Sequence, residues 1–263
     1  MDKHYLLYID ILGFSQLVEH NQEKVCQLYK CIDALNVHRH EAFQTTVFSD
    51  TIIVFNQAAP TTEHDHQYLV MYSCEFVQDL LYRTIGQDIF FRAVLVYDRF
   101  SYKKYQNLEA FFGLGLTNAY KTEKEIQCCG LVISAECQKY NQIFPTTPYS
   151  QVFSFVYLNQ SLERLNENTK GVLPTESFLF EQTAEYWRIY WDIKMLEKIY
   201  KQTFNCQDKK ACHKHMATWN YYSRRYKGVL DVLVKNDFDP KSICPNYNWD
   251  NEIKNYNSEI RQF

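Results

Sequence analysis

Tyr5-Leu6-Leu7-Tyr8-Ile9-Asp10-Ile11-Leu12-Gly13-Phe14-Ser15 opens as an apolar run, meets one acid at Asp10 and breaks at Gly13. Residues 4 to 10 have the length and composition of a buried strand. A carboxylate at the end of such a strand costs several kcal/mol to desolvate unless a charged group answers it. The same construction returns in Val47-Phe48-Ser49-Asp50-Thr51-Ile52-Ile53-Val54-Phe55, where Ser49-Asp50 reads as a tight turn between strands 43–48 and 51–57. Two acids on adjacent strands make an oxygen-ligand site for hard divalent cations, and Mg²⁺ beside a triphosphate suits it best. The carbonyl of Ile11 offers a third oxygen. Residues 11 to 15 then lead into a helix, with Ser15 as its expected cap and free N–H groups facing phosphate oxygens.

Working outward, the apolar spacing predicts a helix over 15–35, a loop over 58–65, a helix over 66–84 and a strand over 88–97. A polar aromatic turn over 101–107, a helix over 113–126 and a strand over 129–134 follow. The order is β-α-β-β-α-β, an α+β, ferredoxin-like split βαβ sheet with helices on one face. After about residue 148 the character changes. Residues 151–158 read as one more strand, 180–204 and 208–235 as long helices rich in Tyr, Trp, Lys and Arg, and the last stretch as a polar tail. The expected division is a catalytic domain over 1–150 and a strand and helical extension over 151–263.

Arg92 lies inside Phe90-Phe91-Arg92-Ala93-Val94-Leu95-Val96. A guanidinium there requires an anion, and the β- and γ-phosphates of a nucleotide would serve. Its alternative is an edge-strand arginine reaching back to water. Gly113 to Glu123 opens a helix with small residues that permit close approach of a ligand or a second protomer, and Asn118 and Lys121 are its candidates to face the site.

The net charge of −3 argues against a nucleic-acid binder. No stretch reaches the roughly 18 apolar residues of a membrane span, and an N-terminus that starts on a strand leaves no signal peptide. The nine cysteines show no framework spacing, which points to buried free thiols in a reducing, cytoplasmic setting. Cys206, Cys212, His213 and His215 lack the paired C-x₂₋₄-C element of structural zinc.

Taken in order, Tyr8-Ile9-Asp10-Ile11-Leu12-Gly13-Phe14, Phe48-Ser49-Asp50-Thr51-Ile52-Ile53, Arg92-Ala93-Val94-Leu95 and Gly113 through Ala119-Tyr120 to Glu123 resemble the class III nucleotide cyclases. They are most similar to the bacterial pyrimidine cyclases of the anti-phage Pycsar systems. A segment from Lys214 to Tyr222, around Trp219, is similar to that group's C-terminal helical part. The resemblance implies a homodimer with sites at the protomer interface. Asp10, Asp50 and the Ile11 carbonyl would hold two Mg²⁺ or Mn²⁺ ions, and Arg92 would bind the triphosphate in the same subunit. Helix 113–125 of the other subunit would cover the ribose and α-phosphate.

The departures concern the base and the transition state. Purine cyclases place a base-reading Lys where this chain has Thr46, and an Asp or Cys where it has Ala110. A short hydroxyl and a methyl cannot make those purine contacts. The Asn and Arg of the covering helix are here Thr117 and Lys121, and a lysine lacks the planar fork of arginine. Two glycines of the family pattern are Ala93 and Asp98. The expectation is a cyclase that converts UTP or CTP to the 3′,5′-cyclic monophosphate, read by a separate effector protein. A purine cyclase and a cyclase-like module that binds nucleotide or a phage protein without turnover are the alternatives.

Overall fold

The computed structural model describes residues 1–35, 40–205 and 208–261. Strand β1 (Lys3–Ile11) is followed by α1 (Phe14–His20) and α2 (Gln22–Asp33). The continuous helix expected over 15–35 is broken at Asn21, whose side chain accepts the Lys24 amide and restarts the helix. Gly13, in the left-handed region at φ 71°, stands at the N-cap of α1, where Ser15 was expected. Then come β2 (Phe43–Phe48), β3 (Thr51–Asn56), α3 (Glu63–Ile85) and β4 (Phe91–Arg99). Strand β4 starts at Phe91, and Asp88, where the strand was expected to begin, lies in a turn with φ 55°.

The turn expected over 101–107 is instead a separate two-stranded ribbon of β5 (Ser101–Lys104) and β6 (Glu109–Phe112). It is followed by α4 (Leu114–Glu125), β7 (Gly130–Ser134), α5 (Ala135–Gln138), β8 (Thr146–Pro148) and β9 (Phe153–Val156). The main sheet runs β2-β3-β1-β4-β7-β9-β8, antiparallel except for the β4–β7 pair. The protein is α+β, and β1 to β4 with α2 and α3 form the split βαβ unit.

The two-residue period of β1 sorts its side chains between faces. Tyr5 reaches His66 of α3, 2.7 Å from hydroxyl to Nδ1, and Phe43 stacks on Tyr72 of the same helix. Tyr8 and Asp10 point the other way, where the Tyr8 ring meets Tyr120 of α4. Helix α4 therefore covers the face opposite α3, so the helices are not confined to one face as expected. Gly113 permits this. It adopts φ 141°, and a Cβ there would run into the carbonyl of Arg99.

Contacts divide the chain into two units, Met1–Leu81 with Ile89–Leu158, and Tyr82–Asp88 with Asn159–Phe263. The second unit holds α6 (Gln160–Thr169), α7 (Ser177–Glu181), α8 (Ile189–Asn205), α9 (Lys209–Arg225), α10 (Lys227–Lys235) and α11 (Asp250–Arg261). The helix expected from 180 begins only at Ile189, and the one expected over 208–235 is interrupted at Tyr226. The tail is a helix that buries Glu252 and Tyr256. Its core is aromatic: Phe180, Tyr247 and Trp249 lie within about 5 Å of one another, centroid to centroid.

Among the described residues, six of the seven free cysteines are buried and Cys26 is exposed. Cys212 departs from the expected free thiols, being disulfide-bonded. Cys206 lies outside the described residues. Among the described residues, no helix is long and apolar enough to cross a membrane.

Candidate functional site

Asp10 stands opposite Thr51 in β3 and opposite Arg92 in β4. Directly opposed residues send their side chains to one face of a sheet. Asp10, Thr51 and Arg92 thus form a row on the face covered by α4. Arg92 Nη2 donates to Asp10 Oδ2 at 2.9 Å. The same nitrogen contacts Glu123 Oε1. The side chains of Arg92 and Asp10 are 13% and 19% exposed, and that of Glu123 only 2%. A guanidinium this deep is tolerated because two carboxylates compensate it.

Asp50 reaches the same end of the sheet by a different route. The tight turn between β2 and β3 forms because Ser49 adopts a left-handed φ of 55°. The Asp50 carbonyl then accepts the Ile11 amide at 2.9 Å. From α2, the Tyr29 hydroxyl donates to the Ser49 carbonyl at 3.0 Å, and the Tyr29 ring tilts against Phe14. The turn bearing the second acid is therefore held to the end of β1 and to α2. Burial raises the Tyr8 hydroxyl's pKa against the contact with Thr51, and the charges of Glu123, Asp10 and Asp50 add to the rise. Tyr8 thus feels both aspartates.

The loop after β1 is partly committed. Ile11 and Leu12 spend their amides on the carbonyls of Asp50 and Phe90. Phe14 buries its ring, while Gly13 and Ser15 are exposed. Thr46 pairs with Ile53, which pairs with Tyr8, so Thr46 lies on the aspartate face, half-buried. An open groove of about 460 Å³ lined by Tyr29, Ile32, Asp33, Thr45 and Val47 lies on the other face of β2 and is not part of this row. Ala110 sits on β6, next to Phe111, whose ring meets Phe55. By strand alternation the Ala110 methyl points away from that contact.

Thr117 and Lys121 are exposed on α4, one turn apart, while Gly115, Ala119 and Glu123 form its buried stripe. Among the described residues, no hydrogen bond or ion pair joins Thr117 or Lys121 to Asp10, Asp50 or Arg92. Asn118 donates to Asp98 at 3.0 Å. One chain thus pairs Asp10 with Arg92, carries Thr46 on the same face, and ties the Asp50 turn to the end of β1, while among the described residues Thr117, Lys121 and Ala110 make no hydrogen bond or ion pair with this group.

Glu123 and Tyr8 were not singled out from the sequence, although both left a signal. Tyr8 is two residues before Asp10 and so shares its face. Glu123 continues the spacing 115, 119, 123, which marks a charge on a buried helix face.

A divalent cation can be tested against these residues. No group of three or more His, Cys, Asp or Glu side chains converges among the described residues. Two carboxylates and backbone carbonyls suit Mg²⁺ or Mn²⁺ when substrate phosphates and water complete the shell. Asp10 already faces a positive charge, and Arg92 Nε is buried without an acceptor. The donor set fits a hard cation, provided that Arg92 yields Asp10.

No family model matches the chain, and no curated protein does. Among solved structures the chain is similar to the adenylyl cyclase CyaB from P. aeruginosa, with TM-score 0.48 and 13% identity over 59% of this chain and 94% of that one. It is also similar to the monomeric guanylyl cyclase domain of the RhoGC fusion protein from the aquatic fungus Blastocladiella emersonii, with TM-score 0.46 and 14% identity over 59% and 94%. The guanylyl cyclase Cya2 gives TM-score 0.42 and 15% identity over 59% and 93%.

Proposed function

We propose that the protein is a pyrimidine nucleotide cyclase that converts UTP, or CTP, to the 3′,5′-cyclic monophosphate and pyrophosphate. The observation that carries this reading is the delivery of Asp10 and Asp50 to one end of the sheet, with the Ile11 amide bonded to the Asp50 carbonyl. The ordered motifs around these residues, read as a cyclase signature, agree with it.

In this reading Asp10, Asp50 and the Ile11 carbonyl hold two Mg²⁺ or Mn²⁺ ions. When bound, the ions lower the pKa of the ribose 3′-hydroxyl and take up phosphate charge. The chain's own groups do the positioning. Amides of Gly13, Phe14 and Ser15 meet phosphate oxygens, since those of Ile11 and Leu12 are already used. Arg92 turns its guanidinium to the triphosphate. The 3′-hydroxyl gives its proton to water, its oxygen forms a bond to the α-phosphorus, and the bond from that phosphorus to the bridging oxygen breaks, its electron pair leaving with pyrophosphate. Thr46 and Ala110 present no Lys or Asp to a purine edge.

Thr117 and Lys121 belong to a second copy's site, which suits their exposure on α4. The active species is then a homodimer, with Lys121 supplying charge to the transition state. The product serves as a second messenger for a separate effector in anti-phage defence.

Purified protein is incubated with Mn²⁺ and an equimolar mixture of ATP, GTP, CTP and UTP, and the products are read by mass spectrometry. A cyclic pyrimidine monophosphate is the expected product. Asp50→Ala should lower its formation by about 10²- to 10³-fold or more. A cyclic purine product would reverse the base assignment. Tight triphosphate binding without pyrophosphate release would favour a binding module.

A further inference from the structure

Glu123 is a buried acid that the reaction above does not use. It sits on the Gly115–Ala119–Glu123 stripe of α4 and contacts Arg92, which also donates to Asp10. One nitrogen of the guanidinium therefore answers two carboxylates. The small residues on the stripe bring α4 close to the sheet, and at Gly115 an added Cβ would lie 3.4 Å from the Arg99 carbonyl. This proximity lets the glutamate reach a strand arginine.

We propose that Glu123 is a positioning residue that governs how strongly Arg92 holds Asp10, and through this the order in which metal and triphosphate bind. The inference rests on the cyclase reading for the identity of the ligands. With no nucleotide present, Arg92 neutralises Asp10 and competes with a divalent cation for its carboxylate. Glu123 draws part of the guanidinium's charge away, so Asp10 remains exchangeable. Once a triphosphate arrives, its oxygens replace Asp10 as partner of Arg92, and Glu123 keeps its own contact with Nη2. Metal and triphosphate then bind cooperatively, because each removes the other's competitor.

Opposite variants separate this from simple damage to the fold. Mn²⁺ binding is measured by calorimetry on the full chain, without and with a non-hydrolysable UTP analogue, and circular dichroism reports folding. In the wild type the analogue should tighten Mn²⁺ binding by about tenfold or more, a coupling of about 1.4 kcal/mol. Glu123→Gln should weaken Mn²⁺ binding in the absence of nucleotide by about tenfold, since Asp10 then bears the whole guanidinium charge. Glu123→Asp should restore part of the loss. Arg92→Gln should strengthen Mn²⁺ binding without nucleotide and reduce the coupling to the part that direct contact between phosphate and metal supplies.

A merely structural Glu123 would weaken metal binding in both Glu123→Gln and Arg92→Gln, or in neither, and either result overturns the proposal. So does a wild type whose Mn²⁺ affinity is indifferent to the analogue, a measurement that needs no variant to fold. Wild-type protein that binds neither Mn²⁺ nor the analogue would instead overturn the cyclase reading itself.

Discussion

Asp10 in the first unit and Asp192 in the second are both acids drawn out of water, and they are stabilised in opposite ways. Asp10 is answered by a charge, the Arg92 guanidinium at 2.9 Å, which Glu123 shares. The hydrogen bonds to Asp192 all come from neutral donors, the Tyr82 hydroxyl and Asn159 Nδ2, each at 2.6 Å, and the Leu162 amide at 3.1 Å, with the Arg188 charge acting without a hydrogen bond. Burial pushes the Asp192 carboxyl up to about 6, although Tyr82, Asn159, Leu162 and Arg188 all pull it down. Neutral hydrogen bonds thus hold an acid in place without making its charge comfortable. A charged partner compensates the charge directly, as the Arg92 guanidinium does for Asp10.

The sharpest way to break this contrast is to remove the cation. Arg92→Met leaves Glu123, 2% exposed, as a buried carboxylate without its arginine. The loss should be about 3–5 kcal/mol in the chemical denaturation of the first unit. The double variant Arg92→Met with Glu123→Met should recover much of it, because the uncompensated charge is gone. If Arg92→Met unfolds like the wild type, the ion pair is not what holds this acid.

The next effect is one of pH. An acid whose pKa is raised on folding contributes stability below its unfolded value and loses it as pH climbs through the folded one. For Asp192 this window runs from about 3.8 to about 6, and the contribution lost across it is about 3 kcal/mol. The stability of the wild type relative to Asp192→Asn should therefore fall by that amount between pH 4 and pH 7. A difference that is flat in pH would mean that Asp192 is ionised in the folded protein at its ordinary value.

The smallest effect sets the baseline. Lys227 and Asp231 form a 2.5 Å pair whose side chains are largely in water. Asp231→Asn should change stability by no more than about 0.5 kcal/mol, and less at high salt. A larger change would mean that exposure, rather than partner type, is the wrong axis for comparing these acids.

Much of the first unit was legible in sequence because strand residues announce themselves. Apolar runs with one acid each located β1 and β3, and the Ser49-Asp50 turn marked where β2 gives way to β3. The ribbon of β5 and β6 was not legible. Its four-residue strands are mostly half-buried or exposed and carry polar and charged residues, so neither periodicity nor hydrophobicity marks them. Helix limits failed where one residue intervened, as at Asn21, which caps the Lys24 amide, and at Tyr226, whose φ of −109° and ψ of 36° interrupt the helix.

The sequence by itself determined that Asp10 comes at the end of a strand and Asp50 in the turn between two, that Arg92 lies in a buried run, and that α+β elements follow one another in split βαβ order. These are local properties, written in period and composition. Only the tertiary structure decided that α4 covers the face opposite α3, and that Glu123 rather than solvent meets Arg92. It also left Thr117 and Lys121 outside the group formed by the aspartates. Such facts depend on which faces meet across long stretches of chain, and no short-range pattern encodes that. A small-residue stripe tells how closely a helix can approach, and the sheet it settles on supplies the partner.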